Sequence, residues 1–407
     1  MNESTMKKIK QNCALYIHIP FCVKKCLYCD FLSMPASDAL REQYIEALLR
    51  ELESWERVLK KYRISSVFLG GGTPTCLSPG LFGKFVRGLI SFLSGMDVSG
   101  DLEFTTEANP GAVLKEHLDV FRTAGINRIS LGLQSAQDTE LQALGRIHSY
   151  GDFIQTYDMI RNHGFFNVNI DLMSDIPRQS IESYEDTLKK VISLQPEHIS
   201  SYSLIVEEGT PFYKLEQEGK LDIPSEETDR QMYRLTKEML EEAGYRRYEI
   251  SNYAREGFAC KHNLTYWDTG AYLGAGLGAS SCLAGFRFQN TGSVDEYLAC
   301  YRQVHDLQGV FDDLRFKKKI PVFQMAERWT ETARKEEFMF LGLRKMNGVS
   351  AADFRERFGV SLWDVYGRVL TELSEKKLLC QSADGDRIFL TERGIDVSNV
   401  VLAEFLL

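Results

Sequence analysis

The chain has 407 residues, of which 44% are hydrophobic and 11% aromatic, enough for one large core and a second folded unit. Its formal net charge of −9 at pH 7 argues against nucleic acid as a partner. The sequence shows no signal peptide and no apolar run of transmembrane length, so we expect a cytoplasmic protein.

The chain contains nine cysteines. Because a reducing cytoplasm keeps thiols reduced, disulfides are a poor explanation for this number. Three of the cysteines lie together near residue 25, and six are scattered singly. The six are interpreted as small buried hydrophobic side chains: Cys13, Cys76, Cys260, Cys282, Cys300 and Cys380.

From residue 14 to about 205, short strands rich in Ile, Val and Leu alternate with amphipathic helices, as in parallel βαβ units. Strands are predicted near Ala14–Ile19, Ser66–Leu69, Leu102–Thr106, Arg128–Leu133, Asn167–Leu172 and His198–Leu204. Helices are predicted near Asp38–Lys61, Pro79–Ser94, Leu114–Ala124, Asp138–Leu144, Tyr150–Asn162 and Ile181–Leu194. This α/β pattern is compatible with an open sheet or a partial barrel. In both, functional residues lie at the carboxyl ends of the strands.

After Glu207 the alternation stops, and three regions are predicted: a core over 1–205, an accessory region over 206–322 that completes it, and a C-terminal domain over 323–407. The accessory region is predicted to contain a helix near Asp229–Ala243, a strand-like segment Tyr245–Tyr253 and a glycine-rich segment Gly270–Gly285. The C-terminal domain is predicted to contain helices Gln324–Leu343, Ala351–Phe358 and Leu362–Lys376 and the strand Arg387–Leu390. That order is typical of a winged-helix domain, here with a packing or docking role.

Directly after the first predicted strand, Cys22, Cys26 and Cys29 form a C-x3-C-x2-C motif. Three thiolates at this spacing can hold three irons of a four-iron four-sulfur cluster and leave the fourth iron open. An open iron can bind the amino and carboxylate groups of S-adenosylmethionine, and one electron from the cluster then releases a deoxyadenosyl radical. A structural zinc site with His18 as the fourth ligand is the alternative, which this spacing does not favour.

The ends of the later predicted strands carry unusual residues. Gly70, Gly71 and Gly72 precede Thr73 and allow a zwitterion to approach the backbone closely. Further polar groups follow at Glu107, Gln134, Arg146 and Asp171. A carboxylate inside an apolar strand, as at Asp171, needs a partner. The structural alternative for these side chains is a cap, a satisfied core residue or, for Arg146, a surface arginine.

These motifs, together with Tyr-Ile-His-Ile-Pro-Phe-Cys, Glu-Ala-Asn-Pro, Leu-Gly-Leu-Gln-Ser, Leu-Gly-Arg-Ile-His and Asn-Ile-Asp-Leu-Met, resemble the oxygen-independent coproporphyrinogen III oxidase family. Within it they look most like the HemW-type haem (heme) chaperones. The resemblance implies a partial (β/α)6 radical SAM barrel. It also implies cofactor contacts from Tyr16, Tyr28, Gly71, Gly72, Thr73, Glu107, Gln134, Arg146 and Asp171.

Three features separate the chaperone from the oxidase within this family. Oxidases carry a fourth cysteine two positions after the third, where this chain has Phe31, and they have a longer amino-terminal extension. The segment His262-Asn263-Leu264-Thr265-Tyr266-Trp267 matches the H-N-x-x-Y-W motif associated with haem binding in the chaperones. A neutral imidazole is a good axial ligand of haem iron, so His262 is the predicted haem ligand, although a histidine beside aromatics is otherwise more often a core residue.

The leading hypothesis is a haem-binding protein that transfers haem to an acceptor protein and makes at most transient contact with membrane proteins. Its predicted cofactors are the cluster, S-adenosylmethionine and haem. The alternative is an oxygen-independent coproporphyrinogen III oxidase, which decarboxylates coproporphyrinogen III to protoporphyrinogen IX. A radical enzyme that modifies nucleic acid is a third possibility, suggested only by the predicted C-terminal wing.

Overall fold

A computed structural model describes residues 10–307 and 323–407. The first half alternates strands and helices as predicted. The strands are β1 Asn12–Ile19, β2 Arg63–Gly71, β3 Asp97–Ala108, β4 Arg128–Gln134, β5 Val168–Ser174 and β6 His198–Ser203. The helices are α1 Asp38–Leu59, α2 Pro79–Ser94, α3 Lys115–Ala124, α4 Asp138–Ala143, α5 Tyr150–Asn162 and α6 Ile181–Ser193. Serine side chains cap α1, α2, α5 and α6 at their amino ends.

Strands β1 to β6 lie side by side in chain order, and each pairs in parallel with the next. Side chains alternate between the two faces of a strand. Residues from β2, β4, β5 and β6, among them Phe68, Arg128, Asp171 and Ser200, line one common cavity. A sheet whose same-face residues converge on one cavity is curved, so the fold is a partial barrel rather than a flat sheet.

The main sheet continues beyond the six parallel strands to twelve strands. The accessory elements are β7 Arg246–Glu249, β8 Asn252–Ala254, β9 Ala271–Ala275, β10 Ser280–Leu283 and β11 Phe286–Asn290, with helices α7 Pro211–Gln217, α8 Glu226–Glu242, α9 Lys261–Trp267 and α10 Val294–Cys300. The β7–β8 hairpin extends the edge at β6, and β9 pairs in parallel with β1. The accessory region therefore adds strands to both edges of the barrel. Its predicted last residues, 308–322, lie outside the described part of the chain.

The prediction of one helix over Gln324–Leu343 is wrong at its start. Residues Phe323–Arg328 form strand β12, which pairs antiparallel with β11, and the helix α11 covers Glu331–Gly342. The ring of Phe323 packs 5.1 Å from that of Phe288, measured between centroids. Because the exposed edge of β11 supplies hydrogen bonds that a local sequence pattern does not reveal, the tertiary context overrode the helical pattern.

Helix α9 lies at the amino-terminal end of the parallel strands, where it closes the bottom of the barrel. The Glu103 carboxylate on β3 accepts hydrogen bonds from the backbone amides of Lys261, at 2.9 Å, and His262, at 3.0 Å. The same helix packs against β2 and β9. The predicted H-N-x-x-Y-W motif thus forms the floor of the barrel.

A second hydrophobic core is built from residues between Phe338 and Phe405. It contains helices α12 Ala351–Phe358, α13 Leu362–Glu375, α14 Glu392–Asp396 and α15 Ser398–Ala403 and strands β13 Val349–Ser350, β14 Leu379–Gln381 and β15 Arg387–Leu390. The three strands form an antiparallel sheet in the order β13-β15-β14. Helices followed by a small wing make this part winged-helix-like. None of the helices in the described ranges has the length and apolarity that a membrane crossing needs.

Candidate cofactor site at the mouth of the barrel

The three clustered cysteines lie on the loop that follows β1, at the carboxyl end of the sheet. The loop is closed at its neck by two backbone hydrogen bonds, Cys22 N to Met34 O at 3.1 Å and Met34 N to Pro20 O at 2.8 Å. The backbone amide of Leu27 is anchored to the carbonyl of Leu144 at 3.0 Å. Cys22, Cys26 and Cys29 are half-buried and free of disulfides. They are therefore presented by an ordered loop, with their thiols accessible from the barrel mouth.

No three side chains of the described residues are arranged to hold a single metal ion. The thiols fit an iron–sulfur cluster through their chemistry and spacing, and polar neighbours support that fit. The guanidinium Nη1 of Arg146 lies 3.8 Å from Cys26 Sγ, and the Thr73 hydroxyl lies 3.6 Å from Cys22 Sγ. Hydrogen bonds and positive charge directed at the sulfur atoms are the means by which a protein tunes such a cluster.

The glycine loop after β2 packs tightly against the cluster loop. Gly72 N donates to Ile19 O at 2.9 Å, and Thr73 N donates to Phe21 O at 2.7 Å. A Cβ atom on Gly72 would lie 2.5 Å from the Phe21 carbonyl oxygen, and one on Gly71 would lie 2.3 Å from the His18 ring. Gly71 also has a φ of +110°, a conformation that favours glycine. Glycine is thus required here by close backbone approach.

A cavity of about 140 Å³ beside the cysteines collects most of the predicted cofactor contacts. Its lining includes Cys22, Cys26, Cys29, Tyr28, Gly71, Gly72, Thr73, Glu107, Gln134, Arg146 and Asp171. Gln134 adopts a φ of +73°, which is uncommon for residues other than glycine and is often found at functional sites. The structure thus brings together residues that are scattered over 150 positions of the sequence, whereas Tyr16 and His262 are not part of this lining.

Arg146 and Asn109 join the cluster loop to the neighbouring strands. Arg146 donates from Nη1 to Asn109 Oδ1 at 3.1 Å and from Nη2 to the Gly132 carbonyl at 3.0 Å. Asn109 in turn donates to the Thr73 hydroxyl at 2.6 Å. Within the described part of the chain, the Nε atom of Arg146 is buried without a partner, so Arg146 retains hydrogen-bonding capacity for a bound group. Asn109 was not predicted from the sequence, although it belongs to the quoted Glu-Ala-Asn-Pro motif.

Two buried carboxyl groups, Glu107 and Asp171, give the cavity its acidic side. Burial, followed by the nearby Asp171, raises the pKa of Glu107 to about 7 from an ordinary 4.5. Burial also raises the pKa of Asp171, against the opposing hydrogen bond from Asn169. Glu107 accepts a hydrogen bond from the Gly71 amide at 3.0 Å. A cationic group such as the amino group of S-adenosylmethionine would compensate this pair of carboxyl groups.

The pKa of Glu107 predicts a pH-dependent stability for the cofactor-free protein. The native state binds the proton more tightly than the unfolded chain, so the stabilisation is complete below pH 4.5 and is lost as the pH rises through about 7. The full shift corresponds to about 3 kcal/mol. Glu107→Gln removes the ionisation, so this variant should be more stable than the wild type at about pH 8 but not at about pH 5. Urea unfolding at both pH values tests this, and a constant difference would contradict it.

A larger cavity of about 460 Å³ extends from the mouth to the floor of the barrel. Tyr28, Cys29, Glu107, Gln134 and Asp171 border both cavities, so the two are continuous. The deeper part is lined by Phe68, Arg128, Asn169, Ser200 and Asn263. Arg128 and Asn169 were not singled out from the sequence. The period-two alternation of β4 and β5 contained the signal, since each faces the same side of its strand as a predicted residue.

His262 lies beneath this cavity and is 2% exposed. Its Nδ1 lies 2.9 Å from the Ser66 hydroxyl, and its Nε2 lies 2.9 Å from the Tyr266 hydroxyl. Its ring packs against Phe68 at 5.1 Å between centroids and stands 6.4 Å from Tyr16. Tyr16 itself bonds the Nδ1 atom of His18 at 2.9 Å. Both predicted contacts, Tyr16 and His262, therefore lie outside the cavity lining and pack behind the residues that form it.

A partial barrel with three cysteines on the loop after its first strand and a glycine loop after its second defines the radical SAM class of protein. The model of the Radical SAM superfamily matches residues 16–191, and that of the HemN C-terminal domain matches residues 330–397. The structure of coproporphyrinogen III oxidase (HemN) from Escherichia coli superposes with a TM-score of 0.79 at 21% identity, covering 98% of this chain and 90% of that one. The predicted fold class is confirmed.

Full-length relatives narrow the assignment. The chain is 38% identical to the "Heme chaperone HemW" of Bacillus subtilis over 96% of this chain and 98% of the relative. It is 36% identical to that of Lactococcus lactis over 96% and 97%, and 34% identical to the mitochondrial "Radical S-adenosyl methionine domain-containing protein 1" of Bos taurus over 91% and 82%. The chain belongs to the HemW family. Membership of the radical SAM superfamily implies the four-iron four-sulfur cluster and S-adenosylmethionine as cofactors.

Proposed function

We propose that this protein binds haem and passes it to an acceptor protein. The observation that carries the proposal is that the H-N-x-x-Y-W motif and the cofactor site border one cavity. Asn263 of the motif lines the same cavity of about 460 Å³ as Cys29 and Glu107. Relatives that match over the whole chain and bear the name heme chaperone support the same reading.

The cofactor site is proposed to hold the cluster on Cys22, Cys26 and Cys29, with S-adenosylmethionine beside it. When bound, this pair supplies one-electron chemistry that generates a deoxyadenosyl radical. The chain's own groups surround that position: the glycine loop allows close approach, and Arg146 offers an unpaired Nε. Glu107 and Asp171 are proposed to face the cationic amino group of S-adenosylmethionine. The further proposed contacts are Tyr16, Tyr28, Thr73 and Gln134, with Tyr16 acting from behind the cavity wall.

His262 is proposed as the haem ligand after a local rearrangement. Burial, followed by the nearby charge of Arg128, lowers the pKa of His262 to about 3, so the imidazole is neutral and no proton competes with iron for its nitrogen. Among the residues that the structure describes, its Nε2 is engaged only by the Tyr266 hydroxyl. Ligation therefore requires that this hydrogen bond open and that Phe68, which packs on the ring, move away from it.

An anaerobic haemin titration followed by Soret absorbance tests the proposal. The wild type should saturate near one haem per chain, and His262→Ala should weaken binding and shift the Soret band, because an axial ligand is lost. Tyr266→Phe provides a matched variant, since it frees Nε2 while keeping the aromatic ring. It should bind haem at least as tightly as the wild type.

The outcomes separate the two parts of the proposal. If the wild type shows no saturable binding, the carrier function is wrong. If His262→Ala binds haem with an unchanged affinity and Soret band, haem binding stands but His262 is a core residue that supports the barrel floor. Loss of binding in Tyr266→Phe with retention in His262→Ala would assign the ligand role to the tyrosine instead.

The alternative activity, oxidative decarboxylation of coproporphyrinogen III, is favoured by the fold likeness to coproporphyrinogen III oxidase. Against it stands Phe31, where the oxidase motif continues with a fourth cysteine. Anaerobic incubation with coproporphyrinogen III, reductant and S-adenosylmethionine separates the two. Carbon dioxide and a vinyl product would establish the oxidase.

The compartment and the acceptor are proposed on chemical grounds. All nine cysteines are free of disulfides, which suits a reducing cytoplasm. An acceptor protein must offer haem a site of higher affinity, and membrane proteins qualify through transient contact. We propose that the chain is organised into a core over 1–205, an accessory region over 206–322 and a C-terminal domain over 323–407. Strand β12, which begins the third region, extends the main sheet.

A further inference from the structure

Arg128 is a buried cation at the floor of the large cavity. It is the first residue of β4 and is 2% exposed, yet its side chain lines the cavity of about 460 Å³. Among the described residues, no hydrogen bond or direct ion pair engages its guanidinium, and Nε is buried without a partner. The carboxylates of Glu103 and Asp171 act on its charge from a distance. A buried charge is ordinarily paired, because burial without a counterion is costly.

The neighbouring acceptors are already used by other groups. Both Glu103 oxygens accept from backbone amides at the start of α9. The Asp171 oxygens accept from Ser130 at 3.2 Å and Asn169 at 2.7 Å. The side-chain oxygen of Asn169 accepts from the Ser200 hydroxyl at 3.1 Å. The carboxylates at the floor of the cavity are thus hydrogen-bonded to other groups, and the guanidinium has no hydrogen-bond partner among the described residues.

We propose that Arg128 binds a carboxylate of a ligand that occupies this cavity. A guanidinium presents paired donors that match a carboxylate, and the match is strongest away from water. Resting on the carrier function proposed above, the ligand is haem and the carboxylate is one of its propionate groups. The walls supply apolar and aromatic surface for a macrocycle through Tyr28, Phe31, Phe68, Leu204 and Ile205.

The carboxylate of S-adenosylmethionine is a second source of the same chemistry, and position separates the two sources. Arg128 and Gln134 lie at opposite ends of β4, six residues or about 20 Å apart along the strand. The cysteines lie at the Gln134 end, where Arg146 is available for a cofactor carboxylate. Arg128 therefore serves a ligand that reaches the floor of the barrel.

The test compares haem with its dimethyl ester, which has the same macrocycle without free carboxylates. Arg128→Gln should weaken haem binding about 30-fold or more, the loss typical of a buried charged pair. Arg128→Lys keeps the positive charge but loses the paired donors of the guanidinium, so its haem affinity should lie between those of the wild type and Arg128→Gln. The wild type should bind the ester about as weakly as Arg128→Gln binds haem. Lys115→Gln, which removes an exposed cation that lies outside the cavity lining, should change neither affinity.

Two further measurements complete the test. Equilibrium dialysis with S-adenosylmethionine should show no effect of Arg128→Gln, and a loss there without a loss for haem would overturn the proposal in favour of the cofactor carboxylate. Arg128→Met should leave the melting temperature of the ligand-free protein close to that of the wild type, because the guanidinium makes no hydrogen bond to a described residue that the substitution would break. A marked fall would instead assign Arg128 a structural role.

Failure of this inference is distinct from failure of the carrier function. If the wild type binds haem and Arg128→Gln binds it equally well, the carboxylate site is wrong and the carrier function stands. If the wild type binds neither haem nor the ester, both are wrong. Equal weakening of haem and ester binding by Arg128→Gln would also overturn the inference, since the contact would not involve the carboxylate.

Discussion

Replacing Cys26 with alanine is expected to leave the protein without its iron–sulfur cluster. Three thiolates at C-x3-C-x2-C are the full set of protein ligands that the motif offers, and a cluster held by two is not retained. Cys26 also lies next to the Arg146 guanidinium, whose positive charge would compensate that of its thiolate. Iron and sulfide assays after anaerobic reconstitution should fall from about four irons per chain to near zero.

Cys76→Ser is the matched control for this experiment. Cys76 lies close to the cluster loop, since its thiol donates to the Phe21 carbonyl at 3.2 Å. Burial raises the pKa of Cys76 to about 12, and its hydrogen bond directs the thiol to a backbone carbonyl, so we do not expect it to replace a missing ligand. Its replacement should leave the iron content unchanged. A full cluster in Cys26→Ala, or its loss in Cys76→Ser, would contradict the ligand assignment.

Gly72→Ala is expected to abolish tight binding of S-adenosylmethionine while leaving the cluster in place. The added Cβ would meet the Phe21 backbone, with its oxygen at 2.5 Å and its nitrogen at 2.8 Å. Backbone atoms cannot rotate away as the end of a flexible side chain can, so the glycine loop must move away from the cluster loop. We expect the affinity for the cofactor to fall at least about tenfold, measured by equilibrium dialysis on reconstituted protein.

Gly80→Ala is the control that distinguishes this steric clash from any general effect of replacing a glycine with alanine on cofactor affinity. A Cβ on Gly80 would meet none of the described atoms within 4 Å. The residue lies in the first turn of α2, where alanine favours the helix. This variant should bind the cofactor as the wild type does. If both variants lose affinity equally, or if Gly72→Ala loses none, close packing of the two loops is not the reason for glycine at position 72.

Most of the barrel was predictable because parallel strands carry a strong local signature. Buried on both faces, they appear as short apolar runs, and the helices between them show a period near 3.6. The predicted strand Arg128–Leu133 differs from the observed β4, Arg128–Gln134, by one residue. The prediction that functional residues gather at the carboxyl ends of strands likewise led to Glu107 and Gln134, which share one cavity with Asp171. Asp171 was predicted because a carboxylate inside an apolar strand needs a partner.

His262 shows where motif reasoning stops. The resemblance marked its segment as functional. An axial ligand, however, needs a ring nitrogen that has no hydrogen-bond partner and that the haem can reach. In the folded chain Ser66 and Tyr266 occupy both nitrogens. Ser66 is 196 positions away in sequence, and no pattern around His262 indicates that partner. The role of the motif as the barrel floor follows from the contact of α9 with Glu103.

Arg128 is the opposite case: the sequence analysis did not single it out, and the structure shows it lining the large cavity. In sequence it is one arginine at the start of an apolar strand, where a surface position is the ordinary expectation. Its significance depends on the cavity in front of it and on what its neighbours do. Only after Glu103 and Asp171 are found bonded elsewhere does the guanidinium stand out as unpaired.

The sequence by itself determined the alternation of strands and helices in the first half of the chain, the cysteine motif predicted to bind the cluster, the glycine loop and the family. Each of these depends on residue type and spacing within about ten positions, which is the range of local backbone geometry and of a contiguous motif. Only the tertiary structure decided that the sheet curves around a cavity, that residues 323–328 form an edge strand, and which polar groups are paired. Those properties depend on contacts between residues far apart in sequence. The role of a buried side chain depends on which of these residues the fold places around it.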